Sequence, residues 1–223
     1  MRILTLETAT LIEDVAVVLD GAVASRATSR RGPRRADDLA LGVARVLSGA
    51  GLDLADLDAI AVSIGPGRFS GLRVGLATAK GLAVVSGTPI VPVATLRALA
   101  LSAGEGRGVV CPLLDARRGE VYGALFRVTD DAERLTADEA ALPEALAAKA
   151  VERAGTAAPL FLGTGARVYR EAIERVVGGP TGVTELPEAP VPEALATLAA
   201  RGLDEPIDLE ALEPIYVRGV ERS

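Results

Sequence analysis

The sequence predicts an α/β protein with two similar lobes, and three observations carry that reading. Short apolar strands alternate with helical stretches along the chain. The two halves open alike: an apolar strand, an acid at its end (Glu7 and Asp115), a turn, and a second strand. The 223 residues, 49% of them apolar, are enough for one large domain or two small ones with a real core. The lobes are expected over 1–104, with 205–223 joining it, and over 105–204.

Arg2–Leu6 reads as a strand and Val15–Leu19 as its hairpin partner, with Asp20-Gly21 turning into a third strand over Ala22–Ser29. From Asp37, Leu39, Val43, Val46 and Leu47 fall on one helical face, and Gly49 to Gly51 stop the helix. The apolar run Ala59–Ile64 is a strand leading into a long helix. Pro89–Val93 is a further strand, and Thr95 caps a short helix. The second half offers strands at Val109–Leu114, Glu120–Val128 and Pro159–Leu162, and helices near 138–153, 166–177 and 192–201. Pro180 to Pro192 reads as loop.

Composition excludes more than it assigns. The chain has no histidine, which removes HExxH zinc sites, Ser-His-Asp and Cys-His systems, and the usual general base near neutral pH. A net charge of −6 makes the whole chain a poor holder of nucleic acid unaided. Lys80 and Lys149 are the only lysines, so positive charge is almost entirely arginine, a compositional bias. Cys111 is the only cysteine, which suits a reducing compartment, and lies in an apolar strand as a core residue would. The opening MRILTLETAT does not read as a signal peptide and no apolar run approaches a membrane span, so a cytoplasmic protein is expected.

The stretch GPGRFSGLRVGLATAKG, Gly65 to Gly81, holds five glycines between a strand and a helix. No window matches a Walker loop. A dinucleotide loop fares poorly, since Pro66 lacks an amide hydrogen and the strand Ile90–Val93 does not end in the acid that holds a ribose. Gly71, Gly75, Ala79 and Ala83 recur every fourth residue and share one helical face. Each helical glycine costs about 1 kcal/mol relative to alanine, so such a stripe implies a closely approaching backbone. That backbone belongs either to the chain's own sheet or to another subunit.

Five segments carry a family likeness: LETAT over 6–10 with Leu4 and Thr5 before it, GPGRFSGLRVGLATAKGLA over 65–83, DARRGEVY over 115–122, GTG over 163–165 and EPIYVR over 213–218. Together, in order along nearly the whole chain, they resemble the TsaB (YeaZ) family. The resemblance implies the actin, sugar-kinase and Hsp70 (ASKHA) fold, two lobes each built on a mixed sheet. It also implies a non-catalytic subunit that dimerises with TsaD and, with the ATPase TsaE, supports threonylcarbamoyl transfer to N6 of adenosine 37 in tRNAs reading ANN codons. The family packs the first two helices of each subunit into a four-helix bundle. Leu39, Val43, Val46, Gly71, Gly75, Ala79 and Ala83 are then the expected interface, and a large residue at Gly75 or Ala79 should weaken the heterodimer while leaving the monomer folded. A homodimer through the same face is the expectation without TsaD. No cofactor or metal of the chain's own is implied. ATP is used by the complex, with a subunit boundary as its candidate place.

Departures accompany the likeness. Glu7 stands where the family usually has Asp, Arg68 where it has Ser, and Arg34-Arg35-Ala36 where a histidine often ends the triplet. The turn Glu7-Thr-Ala-Thr-Leu-Ile-Glu-Asp14 lacks the glycine that approaches phosphate in nucleotide-binding members of the fold, and its three acids repel a triphosphate. Glu7, Asp115, Gly163 and Gly165 are candidates for a residual nucleotide or ion site, against a satisfied ion-pair network and a plain strand-to-helix turn. Arg26, Arg30, Arg31, Arg34 and Arg35 could meet tRNA phosphate, against a solvated loop. The rival from another class is an active ATP-dependent phosphotransferase or peptidase-like hydrolase of the same fold.

Overall fold

The structure is a computed structural model describing residues 1–30, 36–181, 187–204 and 207–217. It divides into two compact units, Met1–Thr95 with Val191–Ile215, and Leu96–Pro190 with the end of the chain. This differs from the boundaries expected at 104 and 204. The helix after Thr95 places Leu96, Leu99 and Ala100 in a core with Val110 and Phe126, so it belongs to the second unit. The helix at 192–202 packs on the first sheet.

The first unit is a five-stranded sheet. Its strands are β1 (Arg2–Glu7), β2 (Glu13–Leu19), β3 (Ala22–Ser29), β4 (Ala59–Gly65) and β5 (Ile90–Ala94), in the order β3-β2-β1-β4-β5. The first three strands form an antiparallel meander, while β4 runs parallel to both β1 and β5. Parallel strands are covered on both faces, which is why β4 reads as an apolar run broken only by Ser63. Helices α1 (Ala36–Ala50) and α2 (Phe69–Ser86) cover one face. There Leu4, Leu6, Val15, Val17, Ile60 and Val62 share a core with Leu39, Val43, Leu76 and Ala79. The last helix of the unit (Pro192–Gly202, α7 below) meets the alternate residues: a Cβ on its Gly202 would lie 3.3 Å from Val91.

In the second unit α3 (Thr95–Leu101) leads into β6 (Gly108–Arg117), the central strand. β7 (Glu120–Gly123) and β8 (Phe126–Val128) both pair antiparallel with β6, and β11 (Leu160–Leu162) pairs parallel. The single strand expected over 120–128 is thus two, although the register is continuous: Leu113 faces Gly123 and Val110 faces Phe126. Pro112 explains the gap, because it has no N–H to donate to the ladder. Between the two strands, Leu125 N–H donates to Thr136 Oγ1 and its carbonyl accepts from Leu135 N–H. Two further short strands, β9 (Ala132–Arg134) and β10 (Glu139–Ala141), edge the sheet. The helix expected from 138 starts later, as α4 (Pro143–Ala154), with Pro143 in the first turn where its missing N–H has no cost. The helix expected at 166–177 is two, α5 (Thr164–Val168) and α6 (Arg170–Val177), broken at Tyr169.

The repeat seen in the sequence is present in the pairing. Each unit has a central strand flanked by its antiparallel hairpin partner and by a later parallel strand. Among the described residues no helix is long and apolar enough to cross a membrane.

Candidate functional site

The turn after β1 is closed against α2. Arg68 N–H donates to the Ala9 carbonyl at 2.7 Å, and a Cβ on Gly67 would meet Ala9 atoms at 2.5 to 3.0 Å. One turn further on, a Cβ on Gly71 would run into the Thr8 carbonyl oxygen, and one on Gly75 into the Thr8 hydroxyl. Gly71 and Gly75 of α2 are therefore required by this chain's own β1–β2 turn, which lies directly on the helix backbone.

Its three acids are all buried. Glu7 accepts from the Thr10 amide at 3.1 Å and from the Ser63 hydroxyl. Burial pushes its carboxyl up to about 7; the Ser63 and backbone hydrogen bonds only partly oppose this, and the Asp14 charge adds to it. Asp14 is held by the Arg26 guanidinium, with Nε donating at 2.9 and 3.0 Å, yet burial still leaves its carboxyl raised. Glu13 is raised by burial and by the nearby Asp38. Arg26, expected as a phosphate contact, is thus committed to Asp14. Arg30 is exposed, while Arg31, Arg34 and Arg35 lie outside the described residues.

The expected interface residues take a different place. Leu39, Val43, Val46, Gly71, Gly75, Ala79 and Ala83 are all buried inside the first unit, so none presents a docking surface. The correction is geometric: residues two positions on lie about 200° round the helix, so the small-residue stripe fixes which others face outward. These are Arg73, Ala77, Gly81 and Val85 on α2, with Val84 exposed beside them and the two valines 78% and 82% exposed. A Cβ on Gly81 would have nothing within 4 Å. On α1, which packs beside α2, Leu41 is 58% exposed and Ala40 and Ala44 are exposed near it. The signal for this face was in the sequence, as the Val84-Val85 pair following the last buried alanine.

The four residues considered for a residual nucleotide or ion site do not form one set within either unit. Glu7 is in the first, while Asp115, Gly163 and Gly165 come together in the second. There the Asp115 amide donates to Thr164 Oγ1 at 3.2 Å, and its carboxylate pairs with Arg117 at 3.3 Å. Gly163, at φ 97°, and Gly165 both lie against the Leu113 backbone, with no room for a Cβ. Close packing on β6 accounts for both glycines. Among the described residues, no three of His, Cys, Asp and Glu are grouped to hold a metal ion.

Against known proteins, the model of the family described as "TsaD: tRNA N6-adenosine threonylcarbamoyltransferase" matches residues 34–205. The chain is 38% identical over 130 residues to the tRNA threonylcarbamoyladenosine biosynthesis protein TsaB of Escherichia coli, covering 57% of this chain and 55% of that one. With the TsaB of Bacillus subtilis it is 32% identical over 168 residues, covering 74% and 72%. The solved structure of YeaZ from Pseudomonas aeruginosa superposes with a TM-score of 0.78 at 27% identity, over 96% of this chain and 99% of that one. The ethanolamine utilization protein EutJ of Carboxydothermus hydrogenoformans, at 14% identity, TM-score 0.55 and 87% and 88% coverage, shares the fold alone. The architecture is that of the actin, sugar-kinase and Hsp70 group, each unit a mixed sheet with flanking helices. The identity to TsaB proteins, sustained over most of the chain, goes with this geometry: the chain belongs to the TsaB (YeaZ) family.

Proposed function

We propose that this chain is a non-catalytic subunit that pairs with a TsaD-type transferase for threonylcarbamoyl transfer to N6 of adenosine 37 in tRNAs reading ANN codons. The observation that carries the pairing is the outward face of α1 and α2, where Leu41, Val84 and Val85 stand exposed around the small residues Ala77 and Gly81. Large apolar side chains left exposed on two neighbouring helices favour an interaction site, and small residues let a second helix approach. TsaD is the occupant in this reading, and a second copy of the chain is the alternative when TsaD is absent.

The closed turn after β1 supports the non-catalytic part. A phosphate at that hairpin would need free amides and tolerated negative charge. Here the Thr8 and Ala9 backbone rests on α2, and three buried carboxylates line the turn. These residues do not fit a triphosphate, so ATP used by such a complex is assigned to its other subunits or to a subunit boundary. The absence of histidine from the sequence points the same way. TsaE, like TsaD, is a partner by family likeness.

The test is pull-down and size-exclusion chromatography with TsaD using Gly81→Trp and Val85→Asp. Both should keep the far-ultraviolet spectrum and unfolding midpoint of the parent and lose the complex. Complex formation equal to the parent's in both variants would remove this face from the account.

A further inference from the structure

The β6–β7 hairpin turns through two residues, Arg118 and Gly119, with Arg117 facing Glu120 across its base. Arg117, Arg118 and Gly119 have φ of 65°, 57° and 81°, all in the left-handed region. Positive φ at both central residues is the type I′ pattern, which favours Asn, Asp or Gly at the first of them. Arginine there sits against a backbone preference, with its charge carried at the tip of the turn.

Tyr169 links this turn to a second group of arginines. It reaches the turn with its hydroxyl 3.4 Å from Asp115 and bonded to the Gly119 backbone. The same tyrosine lines a groove of about 330 Å³ with Arg167, Arg170 and Arg175. In each ion pair here the cation is the outer member: side-chain exposures are 75% against 15% for Arg117–Asp115, 62% against 23% for Arg167–Glu188, 48% against 26% for Arg170–Glu174 and 74% against 42% for Arg175–Glu144. The ion pairs of Arg170 and Arg175 are 3.8 Å apart, beyond hydrogen-bond length, and Arg175 Nε donates to the Glu171 carbonyl at 3.3 Å, which leaves the terminal nitrogens of both forks without a short carboxylate bond. Glu171 is the exposed acid in the groove. The five arginines are matched in number by Asp115, Glu144, Glu171, Glu174 and Glu188, and in the four ion pairs it is the guanidinium that reaches solvent.

We infer that Arg117, Arg118, Arg167, Arg170 and Arg175 form a contact surface for the phosphate backbone of RNA. Arginine and tyrosine side chains are donors that commonly hold phosphate and set a protein's register without reading sequence. The inference rests on the role in tRNA modification proposed above and adds which part of this chain meets the tRNA.

Arg118→Asn separates charge from fold, because asparagine is the residue a type I′ turn prefers. Combined with Arg170→Gln, it should leave or raise the unfolding midpoint. Binding of an unmodified tRNA with an ANN-reading anticodon would be measured between 50 and 200 mM salt, using the chain assembled with TsaD. We expect the double variant to bind several-fold more weakly, with the slope of log affinity against log salt reduced by about 0.7–0.9 per arginine removed. Unchanged affinity and slope, in a variant that still supports tRNA modification, overturns this surface and leaves the proposed function standing. A wild-type chain that neither raises the transferase's tRNA affinity nor supports modification defeats both. Loss of TsaD binding in the variant, with tRNA affinity per assembled complex intact, makes this a protein contact and overturns the RNA assignment.

Discussion

Replacing Glu7 with glutamine tests the view that the β1–β2 turn is closed structure and not a nucleotide cradle. The carboxyl is fully buried and its pKa stands at about 7 against an ordinary 4.5. An acid whose folded pKa is raised binds its proton more tightly in the folded state. Below pH 4.5 it is protonated in both states and carries no penalty. Between pH 4.5 and 7 the unfolded chain ionises while the folded carboxyl keeps its proton, so stability falls, and the loss reaches a plateau above 7. That plateau is the difference of 2.5 pKa units at 1.36 kcal/mol each, or about 3 kcal/mol. Glutamine cannot ionise, keeps an acceptor for the Thr10 amide, and can donate to a rotated Ser63 hydroxyl. Urea unfolding of parent and Glu7→Gln at pH 4 and pH 8 is the assay. The stability of the variant relative to the parent should be about 3 kcal/mol higher at pH 8 than at pH 4. A difference independent of pH would show that Glu7 is ionised and solvated in the native turn, and the closed-hairpin account would fail.

Other expectations follow from the same contacts. Gly75→Ala should destabilise by about 1–3 kcal/mol in denaturant unfolding, because the added Cβ meets the Thr8 hydroxyl, whereas Gly81→Ala should be neutral or stabilising. Arg26→Ala strips the buried Asp14 of its cation. A fully buried pair would lose 3–5 kcal/mol; with Arg26 nearly half exposed, about 2 kcal/mol is expected, with the unfolding midpoint falling as pH rises above the carboxylate range. Burial pushes the Cys111 thiol well above its ordinary range, so it should react with a thiol reagent only on unfolding, as a time course in native buffer and in urea would show.

Much of the fold was legible because strand patterning is local. The β1–β2–β3 meander, β4 and the long helix after it follow from apolar alternation and turn residues. The duplicated opening of the two halves is present in the sheets. What sequence could not place depended on distant partners. Pro112 broke the strand opposite it, an effect visible only once Ala124 was known to face it. Glu139–Ala141 falls within the helix expected near 138–153 but pairs as a strand with β7, with Pro143 marking the helix start. The small-residue stripe by itself implies a close backbone. Whether that backbone was internal turned on Thr8, more than 60 residues away in the chain. Once the stripe faces inward, the exposed face falls on Gly81, Val84 and Val85, the opposite side of the same helix.

The central claim is that this chain works as a partner subunit through the outer face of α1 and α2. Its most direct test is threonylcarbamoylation of an unmodified tRNA by TsaD, TsaE and a threonylcarbamoyl-adenylate synthase from the same source. The reaction would be run with the chain, without it, and with folded Val85→Asp in its place. Product only with the unaltered chain is the expected result. Product formed equally well without the chain would contradict the account.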